Sequence, residues 1–201
     1  MKKLVIASNN PGKLAEFKIL LAPLDIELMT QAQLGIKEAE EPHHTFIENA
    51  LAKARHVSRE SGFPALADDS GICVDALNGM PGVISARYSG WPLSDTRNNQ
   101  ALLEAMEKHS NRSAHYYCVL VMVRSAGDAQ PIIAEGEWHG EIAREPSGKG
   151  GFGYDPLFWL PHLGKTSAQL TRDQKQAVSH RGQALRALLE KMKPDAKLTH
   201  G

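Results

Sequence analysis

Leu4-Val5-Ile6-Ala7-Ser8-Asn9-Asn10-Pro11-Gly12-Lys13 opens on four apolar residues and crosses a polar turn into apolar residues at helical spacing, Leu14, Phe17, Leu20 and Leu21. An unbroken apolar run suits a short buried strand, whereas the spacing after Pro11 suits a helix with one buried face. The stretch predicts strand, loop and helix in succession, the opening of an α/β fold. Working outward, Ile26 to Met29 reads as a second strand. Thr45, with Glu48 three residues on, is a capping box that opens a helix running to about Glu60, with Ile47, Leu51, Ala54 and Val57 as its core face. Asn49, Lys53 and His56 follow the flanking stripe, so this helix is expected to present amide, ammonium and imidazole groups beside its buried side. Gly62 and Pro64 end it.

Further along, Ala65-Leu66-Ala67 leads into Asp68-Asp69-Ser70-Gly71 and then Ile72-Cys73-Val74, two acids interrupting an apolar strand pattern. After the turn-rich Gly79-Met80-Pro81-Gly82 comes a helix candidate from Asp95 to Lys108, with Leu102, Leu103 and Met106 on one face. Strands are expected from His115 to Arg124 and from Pro131 to His139, with Ala126-Gly127-Asp128 as a hairpin turn. A glycine-rich loop, a short strand from Leu157 to Leu160 and two helices complete the pattern, and the tail after Pro194 is expected to fray. The length of 201 residues fits one domain, with room for a second lobe.

Lys plus Arg and Asp plus Glu are 23 each, so the formal net charge is zero, which argues against binding nucleic acid by bulk electrostatics. An anionic ligand must be held locally. Cys73 and Cys118 each sit in an apolar run and read as buried thiols of a protein in a reducing, cytoplasmic setting. No export signal is read at the start, and the longest apolar run, Cys118 to Val123, is far too short to span a membrane.

Five groups of residues can carry chemistry. Ser8 to Lys13 places free backbone N–H groups, short polar side chains and an ammonium around one point, which suits a phosphate, although a plainly capped helix explains the same pattern. It is not a Walker A loop, because the leading glycine is missing and Leu14 stands at the Ser/Thr position. Glu38, Glu40 and Glu41 form one acidic cluster and Asp68-Asp69 another. A hard cation such as magnesium needs only one or two such carboxylates when substrate phosphates supply further oxygens. The Glu cluster reads equally as a solvated loop, but Asp68 and Asp69 lie between apolar segments and need partners or a metal. The loop Gly148 to Asp155 has four glycines around Phe152 and Tyr154, offering close backbone approach and aromatic faces, or simply a mobile connection. Lys175, His180 and Arg181 cluster near two helix starts, where phosphate or base recognition competes with ordinary surface capping. Tyr88, Trp91, Tyr116 and Trp138 read as packing or interface residues, and the remaining histidines show no zinc-binding spacing.

Together, SNNPGK, TFIENALAKAR, ADDSG, PGVISARYSG, GGFGYDP and SHRGQAL, in this order, resemble the inosine triphosphate pyrophosphatase family over nearly the whole chain. Asn9 stands where that family usually has glycine. The resemblance implies an α/β fold with an elongated central mixed sheet and flanking helices, two lobes around a nucleotide cleft, and a homodimer. It implies magnesium-dependent hydrolysis of non-canonical purine nucleoside triphosphates (ITP, dITP, XTP) to monophosphate and pyrophosphate, with water attacking the α-phosphorus. Carried over residue by residue, Ser8, Asn9, Asn10, Pro11, Gly12, Lys13 and Lys53 would bind the triphosphate. Asp69 would be the catalytic acid residue, with Ser70 beside the nucleotide and Asp68 in support. Asp69 and one of Glu40 and Glu41 would hold magnesium. Phe152, Gly153, Tyr154 and Asp155 would line the base pocket, completed by Lys175, His180 and Arg181. Rival readings are a pyrophosphatase for modified pyrimidine or methylated nucleotides and a nucleotide-binding module without turnover. A phosphoaspartate phosphatase fits less well, because ADDSG lacks the Asp-x-Asp order.

Overall fold

The structure is a computed structural model that describes residues 3–22 and 26–193. The expectation for the tail after 194 lies outside the described residues. Strands β1 (Lys3–Ile6), β2 (Glu27–Thr30), β3 (Ala65–Val74), β4 (Ser113–Val123), β5 (Ile132–Ile142), β6 (Phe158–Leu160) and β7 (Lys165–Thr166) form one sheet, in the order β2-β1-β3-β4-β5-β6-β7. β1 pairs in parallel with both β2 and β3, and every later pair is antiparallel, so the sheet is mixed. The helices are α1 (Pro11–Leu21), α2 (Phe46–Ser61), α3 (Asp95–Ala105), α4 (Arg172–Val178) and α5 (His180–Met192).

Alternation along β3 sorts its residues between two cores. Leu66 joins Leu4, Ile6, Cys118 and Leu120 beneath α1 and α5, where Phe17, Leu21, Leu185 and Leu188 cover them. Ala65 and Ala67 face the other way, joining Val119 and Val121 beneath Ala50, Ala54 and Val57 of α2. A third core, built from Ile72, Leu102, Met106, Tyr116, Trp138 and Phe158 among others, fills the far half of the sheet. Because side chains alternate, Asp68 stands on the α1/α5 side and Asp69 on the α2 side.

The predicted elements form, with one correction of face. Ile47 is exposed and Leu51 only half-buried, whereas Asn49, Ala50, Lys53, Ala54 and Val57 are buried. Alanines at 50 and 54 let α2 approach the sheet closely, which turns the flanking stripe inward. Burial of its polar residues is offset by partners: Asn49 exchanges two hydrogen bonds with the backbone of His43, at 3.0 and 3.2 Å. The two acids do not end β3, which passes through them as one ten-residue strand. The two-residue β7 and the 3₁₀ turn Gly82–Arg87 carry no periodic signal and were not expected.

Gly136 is needed where α5 crosses β5, because a Cβ there would meet the carbonyl oxygen of His180 and the amide nitrogen of Ala184. These are backbone atoms that cannot swing aside. Gly136→Ala should therefore cost about 1–3 kcal/mol, the usual scale of overpacking. A urea-unfolding midpoint equal to the parent's would refute this close-approach account.

Candidate active site

β1 pairs with β3 only at Val5–Ala65 and Ile6–Leu66, yet β3 runs on to Val74. Beyond that point the chain leaves the sheet through Ser8–Asn10 to start α1, and a cleft of 760 Å³ opens beside Asp68, Ser70 and Gly71. Its walls include Ser8, Asn9, Asn10, Lys13, Glu40, Glu41, Lys53, Phe152 to Asp155, Lys175, His180 and Arg181. Groups separated by more than 170 positions in sequence thus meet at one opening. Pro11, Gly12 and Asp69 are the predicted site residues that do not reach its wall. A separate depression of 560 Å³ near Phe63, Met122 and Ile132 is almost wholly apolar and contains none of them.

The segment from Ser8 to Lys13 is a capped helix start. Asn10 caps α1 with its Oδ1, accepting from the amides of Gly12 (2.9 Å) and Lys13 (3.1 Å), while Ser8 Oγ accepts from Asn10 N at 3.2 Å. Pro11 takes the first helical position, where no amide donor is required. Gly12 is packed so closely under Phe152 that a Cβ would lie 2.8 Å from the ring. The start of α1 and the glycine-rich loop are therefore in direct contact.

Asp68 and Asp69 serve two different networks. Asp68 Oδ2 pairs with Lys13 Nζ at 3.0 Å and with Nε and Nη2 of Arg181 at 3.4 Å, and accepts from Ser70 Oγ at 3.1 Å. Burial alone would raise its pKa, but Lys13, Arg181 and Lys53 outweigh burial and hold the carboxyl well below the usual aspartate range. Arg181 is buried and also binds Glu16 Oε2 at 2.5 Å and Ser70 Oγ at 2.9 Å. On the opposite face, Lys53 Nζ lies 2.6 Å from Glu41 Oε1 and 3.3 Å from Asp69 Oδ1, and Arg87 Nη1 lies 3.5 Å from Glu41 Oε2. Asp69 Oδ2 is buried with no hydrogen-bond partner among the described residues. Burial, helped by Glu41 and Asp68, raises the Asp69 pKa despite Lys53 and Lys13. The two neighbouring acids are thus pushed in opposite directions, one fixed as an anion and the other inclined to take up a proton.

At the other end, Asp155 organises the glycine-rich loop. Its Oδ2 accepts from Phe152 N at 2.8 Å and pairs with Lys175 Nζ at 2.5 Å, and its Oδ1 accepts from Ser167 Oγ at 2.7 Å. Lys175 Nζ and Arg181 Cζ lie 4.8 and 5.9 Å from the centre of the Phe152 ring. Tyr154 is buried and donates its hydroxyl to Ser85 O at 2.8 Å. The His180 ring stacks on Tyr116 at 4.7 Å with an 8° tilt; burial and the nearby Arg181 and Lys175 lower its pKa and favour the neutral ring, which has one donor and one acceptor nitrogen, and Nδ1 has no hydrogen-bond partner among the described residues. Trp91, by contrast with the buried Tyr116 and Trp138, is 75% exposed at the mouth of the cleft.

The structure also brings in residues that periodicity did not single out. Glu16 neutralises Arg181, Arg87 meets Glu41, and Ser85 joins Tyr154 to β3 by accepting from Ile72 N at 3.0 Å. Arg87 and Ser85 lie within PGVISARYSG, one of the stretches that carried the family resemblance, and that resemblance was the available signal for them. Glu16 shows none.

A mixed sheet whose first strand stops short, opening a cleft of small-molecule size between a helix start, buried carboxylates and a basic cluster, defines an α/β protein built to hold an anionic ligand. The chain belongs to the Ham1 family, whose model matches residues 4–191. It is 62% identical over 190 residues to a dITP/XTP pyrophosphatase of Nitrosomonas europaea, with 94% of each chain covered. It is also 62% identical to one of Ralstonia nicotianae, covering 96% of this chain and 98% of the relative. A Ham1 protein of Coxiella burnetii superposes with a TM-score of 0.90 at 47% identity, covering 95% of this chain and 98% of that one. The α/β fold with a central mixed sheet and flanking helices, expected from the sequence, is the fold observed.

Proposed function

We propose that this chain is a magnesium-dependent nucleoside triphosphate pyrophosphatase. It hydrolyses ITP, dITP and XTP to the monophosphate and pyrophosphate, and so removes deaminated purines from the nucleotide pool. The observation that carries the reading is a buried carboxylate oxygen, Asp69 Oδ2, without a hydrogen-bond partner among the described residues, on a strand flanked by two cations: Lys53 beside Asp69 Oδ1 and Lys13 beside Asp68 Oδ2. The activity of the 62% identical relatives supports it.

In this reading the phosphates lie between the start of α1 and Lys53. Because the amides of Gly12 and Lys13 are taken by Asn10 Oδ1, the ammonium groups of Lys13 and Lys53 balance their charge. Asp69 takes a proton from water as the water oxygen bonds to the α-phosphorus. The bond from that phosphorus to the bridging oxygen breaks, and pyrophosphate leaves with the electron pair. Asp68 acts by holding Lys13 and Arg181 in place, and Ser70 Oγ bridges Asp68 Oδ2 and Arg181 Nη2 at the cleft wall.

The residues present fit magnesium. The available donors are carboxylate oxygens, two of which, Asp68 Oδ1 and Asp69 Oδ2, lack a hydrogen-bond partner among the described residues, and among those residues no three His, Cys, Asp or Glu side chains form a closed metal site. A hard cation that completes its shell with phosphate oxygens and water needs no such closure. Asp69 and Glu41 would hold it. Glu41 shares Lys53 with Asp69, whereas Glu40 is exposed and makes no hydrogen bond or ion pair among the described residues. When bound, magnesium would offset triphosphate charge and polarise the phosphoryl oxygens.

Base choice belongs to the other end of the cleft, where Phe152 offers a stacking face and the His180 edge and Lys175 offer donors. A 6-oxo group would be satisfied there, whereas the 6-amino group of adenine would leave a donor unpaired. The chain is proposed to act as one catalytic domain whose two lobes flank the cleft, as a homodimer in the cytoplasm. No helix among the described residues is long and apolar enough to cross a membrane.

The test is release of pyrophosphate and monophosphate from ITP, XTP, dITP, GTP, ATP and dTTP, with and without magnesium. Magnesium-dependent pyrophosphate from the first three is expected, with kcat/KM at least about 100-fold above that for ATP. Orthophosphate instead would overturn the bond assignment, and comparable ATP turnover would overturn the base choice. A solution mass of the 22.0 kDa single chain would remove the dimer.

A further inference from the structure

Gly153 sits in the glycine-rich loop with φ +61°, between Phe152 and Tyr154. Both polar atoms of this residue are held by the first turns of α3. Its amide donates to Asp95 Oδ2 at 2.7 Å, and its carbonyl accepts from Asn99 Nδ2 at 2.8 Å. The platform is itself anchored. Between these two residues, Asn98 is buried; its Oδ1 accepts from Ser89 N and Oγ, both at 2.8 Å, and its Nδ2 donates to Ala86 O at 2.9 Å. That segment reaches β3 through Ser85 Oγ and Ile72 N. A chain of hydrogen bonds therefore runs from the strand of Asp69 to the loop bearing Phe152.

We propose that Asp95 and Asn99 are positioning residues for base selection: gripping Gly153 by both its amide and its carbonyl, they set where Phe152 and Asp155 stand against the purine. The proposal deepens the reading of the cleft as a purine triphosphate site and rests on it. A loop with glycines at 148, 150, 151 and 153 has little side-chain packing of its own to choose one conformation. Asp95 is exposed, so its bond to Gly153 adds little to global stability, and its loss is expected in the loop and the pocket rather than in the fold. Both contacts are local, but their effect falls on discrimination, because a looser loop no longer penalises the wrong purine.

The experiment compares the parent with Asp95→Ala, Asn99→Ala and Asp95→Asn by hydrogen–deuterium exchange of loop peptides and by kcat/KM for ITP and ATP. Either alanine variant should speed exchange at 148–155 and lower the ITP:ATP ratio about fivefold, the worth of one hydrogen bond, with the change falling on KM more than on kcat. Asp95→Asn retains an oxygen acceptor and should keep the ratio within about twofold of the parent. Unchanged exchange in both alanine variants would overturn the clamp. Faster exchange with an unchanged ratio would overturn its role in selection, as would failure of Asp95→Asn to preserve the ratio. A parent ratio near one would instead overturn the purine-selective reading and the selection role that rests on it, while exchange still judges the clamp.

Discussion

Asp69→Asn is expected to lower kcat for ITP by about 10²- to 10⁴-fold with magnesium saturating, the range over which a positioned proton acceptor contributes. The amide has the same shape but cannot accept the proton of attacking water, and it is a poorer ligand for a hard cation. Folding should survive. Burial raises the Asp69 pKa, so the charged form is the disfavoured one in the folded chain, and the neutral amide removes a cost rather than a contact. Lys53 keeps Glu41 at 2.6 Å as its counterion. Steady-state turnover and a thermal melt on the same preparation decide the matter. Near-parental turnover would remove Asp69 from the chemistry, and a collapsed melting transition would make it a structural residue.

Arg181→Met is expected to destabilise the protein by about 3–5 kcal/mol, the usual cost of removing one partner from a buried ion pair. The guanidinium is 2% exposed and satisfies Asp68, Glu16 and Ser70 together. After its removal Asp68 keeps Lys13, but Glu16 loses its only ion-pair partner among the described residues. Acid sensitivity should change as well. Asp68 has a folded pKa below its unfolded one, so its stabilisation is present above the ordinary aspartate range of about 3.9 and is lost as pH falls towards the folded value. With Arg181 gone the folded value rises, the stabilisation shrinks, and its loss begins at higher pH. Urea midpoints measured across the acid range test both statements. A variant as stable as the parent at neutral pH, with the same acid profile, would show that Arg181 is not the keystone of this network.

The Asp68-Asp69 pair shows how far reading the chain could go. Two acids within an apolar strand pattern announce a site, because buried carboxylates require partners. Their alternation in an extended strand already implies that they face opposite ways. Which face meets Lys13 and which meets Lys53 depends on the packing of α1 and α2 against the sheet. The same holds for α2: its limits were legible from Thr45 and Gly62, but its buried face only in part, Ala54 and Val57 being buried as expected while Ile47 is not. Ile47 is the more apolar residue, yet Ala50 and Ala54 are the ones small enough to let the helix close on β3 and β4.

Local pattern and composition determined the strand, loop and helix opening, most of the later strands and helices, the capped helix starts and the two acidic clusters. The order of several long motifs determined the family. These features depend on side-chain period, turn chemistry and capping, all of which act over a few residues. Tertiary structure alone decided the division of Asp68 and Asp69 between two ion networks, the preference for Glu41 over Glu40 beside Lys53, the burial of Arg181 with Glu16, and the grip of α3 on Gly153. Each depends on distances between residues far apart in the chain, and those are fixed only when the sheet and its helices have packed.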